Sequence, residues 1–194
     1  MRRGDFSLHI ENFTLAELFE IIKQGAQTFE LKGIEFDVKS SYAVVKADKA
    51  LTLFMINTLA DNASKFTPIG GSVTIEAVEA DNFVEIAVSD TGVGIAAQDL
   101  DRVKEKFYKA NKQVRGSGIG LAVADEIIKQ HNGLLFIESD EGVGTKVVIV
   151  LPLYEPVTEE PMVELLPDGA TTEIIQTENE EGGEEAAGEV EDNG

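Results

Sequence analysis

The stretch "SDTGVGI", Ser89 to Ile95, sets a carboxylate and two glycines directly after the apolar run "FVEIAV". A carboxylate at the end of a strand is a pure acceptor, and glycines beside it let a flat group approach the backbone. Three uses compete: a plain turn, a metal loop, or a pocket for a donor-rich ring edge such as the exocyclic amine of adenine. An EF-hand loop fails, because Gly92 and Gly94 stand where the second and third oxygen ligands belong. Asp-x-Gly by itself is most often a turn, so Asp90 needs partners before the pocket reading gains weight.

Candidate partners lie on both sides of it. "LADNASKFTP" places Asn62 and Lys65 three apart on a helix, on one face. An amide oxygen can ligate Mg²⁺ without adding charge, and an ammonium group can reach a phosphate. "GSGIGLAV" carries Gly116, Gly118 and Gly120 into a helix, where free N–H groups and the helix dipole favour phosphate. A flexible loop with a capped helix explains that segment equally well. Between the two glycine loops, Ala96 to Arg115 holds six bases (Arg102, Lys104, Lys106, Lys109, Lys112, Arg115) against three acids. Such a run is usually a solvated face, yet its position suits it to screening a triphosphate.

Other phosphate motifs are excluded. The glycine spacing is not G-x-G-x-x-G and follows a loop rather than a strand. Neither a Walker A Gly-Lys-Ser/Thr nor the catalytic loop of protein kinases occurs.

Hydrophobic periodicity supplies the elements that would position these residues. After a short strand at "FSLHI", Leu15, Leu18, Phe19 and Ile22 predict one amphipathic helix, N-capped by Thr14 and ending near Gly33. "IEFDVK" and "YAVVKA" read as strands, and "DKALTLFMINTLADNASKF" as a helix capped by Asp48 and stopped before Pro68. Two strands follow around a turn at Ala80 to Asn82. A long loop from Thr91 to Gly120 holds at most a short helix near Gln98 to Lys106. A helix with Gly133 as its C′ residue comes next, and two closing strands cross "EGVG". This order predicts a two-layer α/β sandwich: one mixed, mostly antiparallel sheet with helices on one face.

The 194 residues allow one domain, expected at 1–154, with an acidic linker or tail at 155–194 that holds a short hairpin around Pro-Asp-Gly. That tail contains fourteen acids and no Lys or Arg, so it carries 14 of the 20 net negative charges. A chain this acidic lacks the clustered bases that nucleic-acid binding needs. Cysteine is absent, which removes disulfides and thiolate metal sites. No apolar run approaches 18 residues, so no membrane contact is expected of this segment, and a cytoplasmic location is, whether or not the intact protein is anchored.

Taken in order, the segments resemble the ATP-binding catalytic domain of two-component sensor histidine kinases. That domain belongs to the superfamily holding the ATPases of gyrase, heat-shock protein 90 and mismatch-repair proteins. The likeness runs from Phe6 to Leu153. "LADNASKFTP" looks like the N box, "DTGVGI" the first glycine box, "EKFYKA" the F box, "GSGIGLAV" the second glycine box and "ESDEGVGTKVVIVLP" the closing strands. The resemblance implies a Bergerat-type fold with ATP and Mg²⁺ as ligands. It makes Asn62 the Mg²⁺ ligand, Lys65 and Lys109 phosphate contacts, and Asp90 the adenine contact. Gly92, Gly94, Gly116, Gly118 and Gly120 shape the pocket and lid hinges, Phe107 anchors the lid, and Thr145 supports the adenine end.

Two departures are visible. Thr58 stands where histidine kinases commonly carry Asn and the hydrolytic relatives a general-base Glu, and a threonine hydroxyl is no base at neutral pH. The only histidines are His9 and His131, neither in the setting of a phosphoacceptor. The acceptor is therefore expected on a histidine-bearing dimerisation hairpin ahead of Met1 in a longer protein, with a response regulator downstream. The alternatives are a degenerate nucleotide-binding scaffold and a gyrase- or mismatch-repair-like ATPase.

Overall fold

A computed structural model describes residues 7–39, 41–111, 117–154, 164–165 and 171–172. The chain divides into two units, Met1–Glu155 and Pro156–Gly194. In the second unit β8 (Glu164–Leu165) and β9 (Thr171–Thr172) pair antiparallel. Everything below concerns the first. No helix among the described residues is long and apolar enough to cross a membrane.

The chain enters through β1 (Ile10–Thr14), a few residues later than "FSLHI" suggests. Thr14 is the extended N-cap of α1 (Leu15–Lys23), its hydroxyl donating to Glu17 at 3.0 Å. Leu15, Leu18, Phe19 and Ile22 are all buried. The single helix expected to reach Gly33 is broken: Gly25 donates back to Ile22 O at 2.9 Å, and α2 (Ala26–Glu30) restarts the spiral. Glycine inside a helix costs about 1 kcal/mol relative to alanine, and the apolar periodicity that runs across position 25 hides the break.

The main sheet has the order β2-β4-β5-β7-β6, comprising β2 (Glu35–Val38), β4 (Ser72–Ala80), β5 (Phe83–Asp90), β7 (Gly144–Pro152) and β6 (Leu134–Asp140). Only the β2–β4 pairing is parallel. Alternate residues Val73 and Ile75, Val84, Ile86 and Val88, and Val147, Ile149 and Leu151 are buried. They share one core with Leu18, Phe19, Met55, Ile56, Leu59, Ile127 and Ile128 from the helices. One feature departs from the single sheet expected. β3 (Val44–Asp48) pairs with β1 as a separate two-stranded ribbon, joined to the end of β7 by the Val45–Leu153 bridge and Tyr154 N–H to Val44 O at 2.9 Å.

The two helices that matter for the site are α3 (Lys49–Phe66) and α5 (Gly120–Gln130). Asp48 caps α3 as expected, its Oδ1 accepting from Leu51 N–H at 3.0 Å, and Thr67 turns extended before Pro68. At the end of α5 the C′ residue is Asn132, with φ 55°, and not Gly133. Asn132 N–H bonds Lys129 O at 3.1 Å and Gly133 N–H bonds Ile128 O at 2.9 Å, which is the Schellman pattern. Gly133 is glycine for another reason: a Cβ there would lie 2.2 Å from Val150 O. His131 is buried beside it, with Nε2 accepting from Asp48 N–H and Nδ1 donating to Ile127 O at 2.8 Å.

Candidate functional site

Between α3, α5 and the ends of β5 and β7 lies a cavity of about 320 Å³. Its walls are largely apolar, from Leu59, Phe66, Val88, Leu121 and Val147. Helix α3 contributes Asn62 and Lys65, β5 contributes Asp90, and β7 contributes Thr145. Gly94, Lys109 and Gly118 line it from the connecting segments, and Gly120 from the start of α5. Leu59 and Val147, 88 positions apart in the chain, thus border one space.

Asp90 is half-buried and faces Thr145 across the β5–β7 register. Its Oδ1 accepts from Gly92 N–H at 2.8 Å and from Thr145 N–H at 3.3 Å. Burial pushes its pKa above the ordinary aspartate value, and the two backbone donors pull the other way.

The first two glycines serve the loop's own path. Gly92 is absent from the cavity lining: a Cβ there would lie 2.6 Å from Phe66 O, so the loop passes the end of α3 only as glycine. Gly94 borders the cavity, but its φ of 68° and a Cβ position only 2.0 Å from Asp140 O tie it to the β6–β7 hairpin. Room for a flat ring is not what these two positions supply. Gly118 fits against Tyr108 O and Gly120 against the Asn62 amide, each within about 3 Å of where a Cβ would be. Gly116, Lys112 and Arg115 lie outside the described residues.

The Asn62 side chain lines the cavity and makes no hydrogen bond among the described residues, so its amide oxygen is available to a ligand there. Lys65 forms an ion pair with Asp61 one turn back. Thr58 borders the cavity with its hydroxyl turned back to Phe54 O at 2.8 Å. Among the described residues no three His, Cys, Asp or Glu side chains cluster as a metal site.

The basic run is only partly directed at the cavity. Lys104 donates to Leu135 O at 3.0 Å, fastening this segment to β6, and Arg102 stacks over the Tyr108 ring at 4.2 Å. Tyr108 in turn donates to Asp99, in the short α4 (Ala97–Leu100), at 2.5 Å. Lys109 faces the cavity. Phe107, the expected anchor, is 72% exposed and absent from the lining. The backbone does the holding, Phe107 N–H to Gly118 O at 2.8 Å, with Phe107 at φ 68°.

Sequence reasoning missed Ser139, whose hydroxyl contacts Ile95 N–H, Gly144 O and Thr145 Oγ1. Its signal was present: on the inward positions of β6 it is the polar residue after Leu135 and Ile137.

A family model for histidine kinase-, DNA gyrase B- and HSP90-like ATPases matches residues 47–155. The chain belongs to this ATPase family. The matched span begins at β3 and contains every wall of the cavity. Among curated relatives, histidine protein kinase DivJ of Caulobacter vibrioides is 40% identical over 56% of this chain, and sensor histidine kinase WalK of Bacillus subtilis 34% over 57%. The chain spans only 19% of the length of each. Among solved structures, the mycobacterial sensor histidine kinase MprB is 27% identical, with a TM-score of 0.67 over 76% of this chain and 99% of that one. The ATPase-family domain seen here is therefore of the kind found in sensor histidine kinases.

Proposed function

We propose that this domain binds Mg·ATP in the cavity and presents the γ-phosphate to a histidine on a separate dimerisation domain of a two-component sensor kinase. The observation that carries the reading is Asp90, a half-buried acceptor in a largely apolar cavity that is also lined by Lys65 and Lys109. An ionised Asp90 accepts from the exocyclic amine of adenine. Val88, Val147 and Leu121 cover the ring. Lys65, Lys109 and the N-terminus of α5 at Gly120 face the phosphates.

The donor set fits Mg²⁺ held mostly by its substrate, since Asn62 offers one neutral oxygen and no carboxylate cluster competes among the described residues. When bound, the ion would neutralise charge on the phosphate oxygens. In transfer, an imidazole nitrogen forms a bond to the γ-phosphorus while the bond to the β,γ-bridging oxygen breaks, and ADP leaves. The domain's share is positioning and charge compensation. Its own histidines do not fit the acceptor role: neither lines the cavity, and both ring nitrogens of His131 are engaged.

The test supplies γ-labelled Mg·ATP and a two-helix, histidine-bearing dimerisation domain in trans. Acid-labile label on that partner, lost with Asp90→Ala, is the expected result. A bound ATP analogue without transfer would identify a scaffold instead, and steady phosphate release without an acceptor would identify a hydrolytic ATPase.

A further inference from the structure

Counting protons around Ser139 fixes the direction of a hydroxyl inside the cavity. Ser139 Oγ is 2.8 Å from Gly144 O, 2.9 Å from Ile95 N and 2.9 Å from Thr145 Oγ1. A carbonyl oxygen can only accept, so the single proton of Ser139 goes to Gly144. The serine oxygen has two lone pairs. One meets Ile95 N–H, and the contact with Thr145 is then satisfied only when Thr145 donates. The proton of Thr145 is thereby committed to Ser139, and what it offers elsewhere is lone pairs.

Thr145 lines the cavity and Ser139 does not. Directly across the register stands Asp90, whose ionised carboxylate is also acceptor-only and whose Oδ1 takes the Thr145 N–H. Asp90 and Thr145 therefore present two side-chain acceptors to the cavity from facing positions. A ring edge carrying an amino group is matched there. A ring edge carrying a carbonyl leaves acceptor facing acceptor, an unsatisfied arrangement in a largely apolar surround.

We infer that Ser139 is a positioning residue that holds the Thr145 hydroxyl as an acceptor, so that the cavity selects a purine with an amino group rather than a carbonyl at position 6. This rests on the nucleotide reading above and deepens it. The same residue also joins three segments, the loop at Ile95, β6 and β7, so its hydroxyl sets the cavity's chemistry from outside the cavity.

The experiment titrates the whole chain with the β,γ-imido analogues of adenosine and inosine triphosphates, with Mg²⁺, by calorimetry. The wild type is expected to prefer the adenosine analogue. In Ser139→Ala the Thr145 proton is released and can turn into the cavity, so the preference falls about three- to tenfold, the scale of one hydrogen bond. Ser139→Thr, which keeps the hydroxyl, restores it. A merely structural role would weaken both analogues alike and leave the ratio unchanged.

An unchanged ratio in Ser139→Ala, with the adenosine analogue still bound by the wild type, overturns this inference and leaves the nucleotide reading standing. Wild type that binds neither analogue removes both. Should Ser139→Ala lose its folded circular dichroism, Thr145→Val takes its place. The preference is expected to fall there by a similar factor, Asp90 supplying what remains, and an unchanged ratio is equally fatal.

Discussion

The backbone N–H of Asp48 donates to Nε2 of His131 at 2.9 Å, across 83 residues of sequence. The same imidazole donates from Nδ1 to Ile127 O, and Asp48 caps α3. One buried ring thus joins the start of α3 to the end of α5, the two helices that wall the cavity. Replacing His131 by Ala strands the Asp48 N–H and is expected to cost about 1–3 kcal/mol in urea unfolding. Acceptor mapping after phosphorylation should find no label on His131. Wild-type stability in the variant, or label at this position, would count against the bolt.

Asp90→Asn separates binding from stability. The asparagine Oδ1 still accepts from Gly92 and Thr145, and the burial of a charge is relieved. The melting temperature is expected to hold or rise, while affinity for an ATP analogue falls at least tenfold, because an NH₂ group now meets the ring amine. Retained affinity would remove Asp90 from the site.

The raised pKa of Asp90 gives binding a pH dependence with a definite sign. Affinity should fall as pH drops through that pKa, at a pH above the ordinary aspartate value of 3.8, because protonation turns an acceptor into a donor. Stability moves the other way. The cost of burying the charge is fully relieved below the ordinary value and returns as pH rises through the raised one. Calorimetry across this window, with Asp90→Asn as a flat control, checks both signs.

Gly94→Ala tests the joint between the loop and the hairpin. Its φ of 68° disfavours any side chain, and the new methyl would sit 2.0 Å from Asp140 O. A loss of roughly 2 kcal/mol or more is expected. A melting curve matching wild type would show that the joint can shift at little cost.

Phe107→Gly carries the opposite expectation. The ring is exposed and the backbone lies in the left-handed region, so glycine relieves strain and removes little packing. Stability should stay within about 0.5 kcal/mol of wild type or rise above it. A clear loss would restore the ring as an anchor.

Where signals were local, the sequence was legible. Helix α3 runs from its Asp48 cap to the turn before Pro68, because cap and proline act within a few residues. The grouping of Asn62, Asp90, Lys109 and Thr145 around one cavity followed the order of the motifs. What escaped depends on approach from elsewhere in the chain. Gly133 looked like a helix terminator, but its missing side chain answers to Val150 O, and Asn132 takes the turn. Gly94 answers to Asp140, and Ser139 to Ile95, Gly144 and Thr145. The break at Gly25 was hidden by an apolar stripe that both helical pieces share.

The position of β5 between β4 and β7 has a consequence for synthesis. β4 precedes it and can pair at once, but Asp90 and its partner Thr145 are 55 residues apart. At about 5–20 residues per second on the ribosome, the β7 side of this strand stays bare for roughly 3 to 11 s. During that interval "VEIAVSD" offers unpaired backbone to any extended chain nearby. Glu85 and Asp90 are the charged residues of that stretch that discourage a wrong partner.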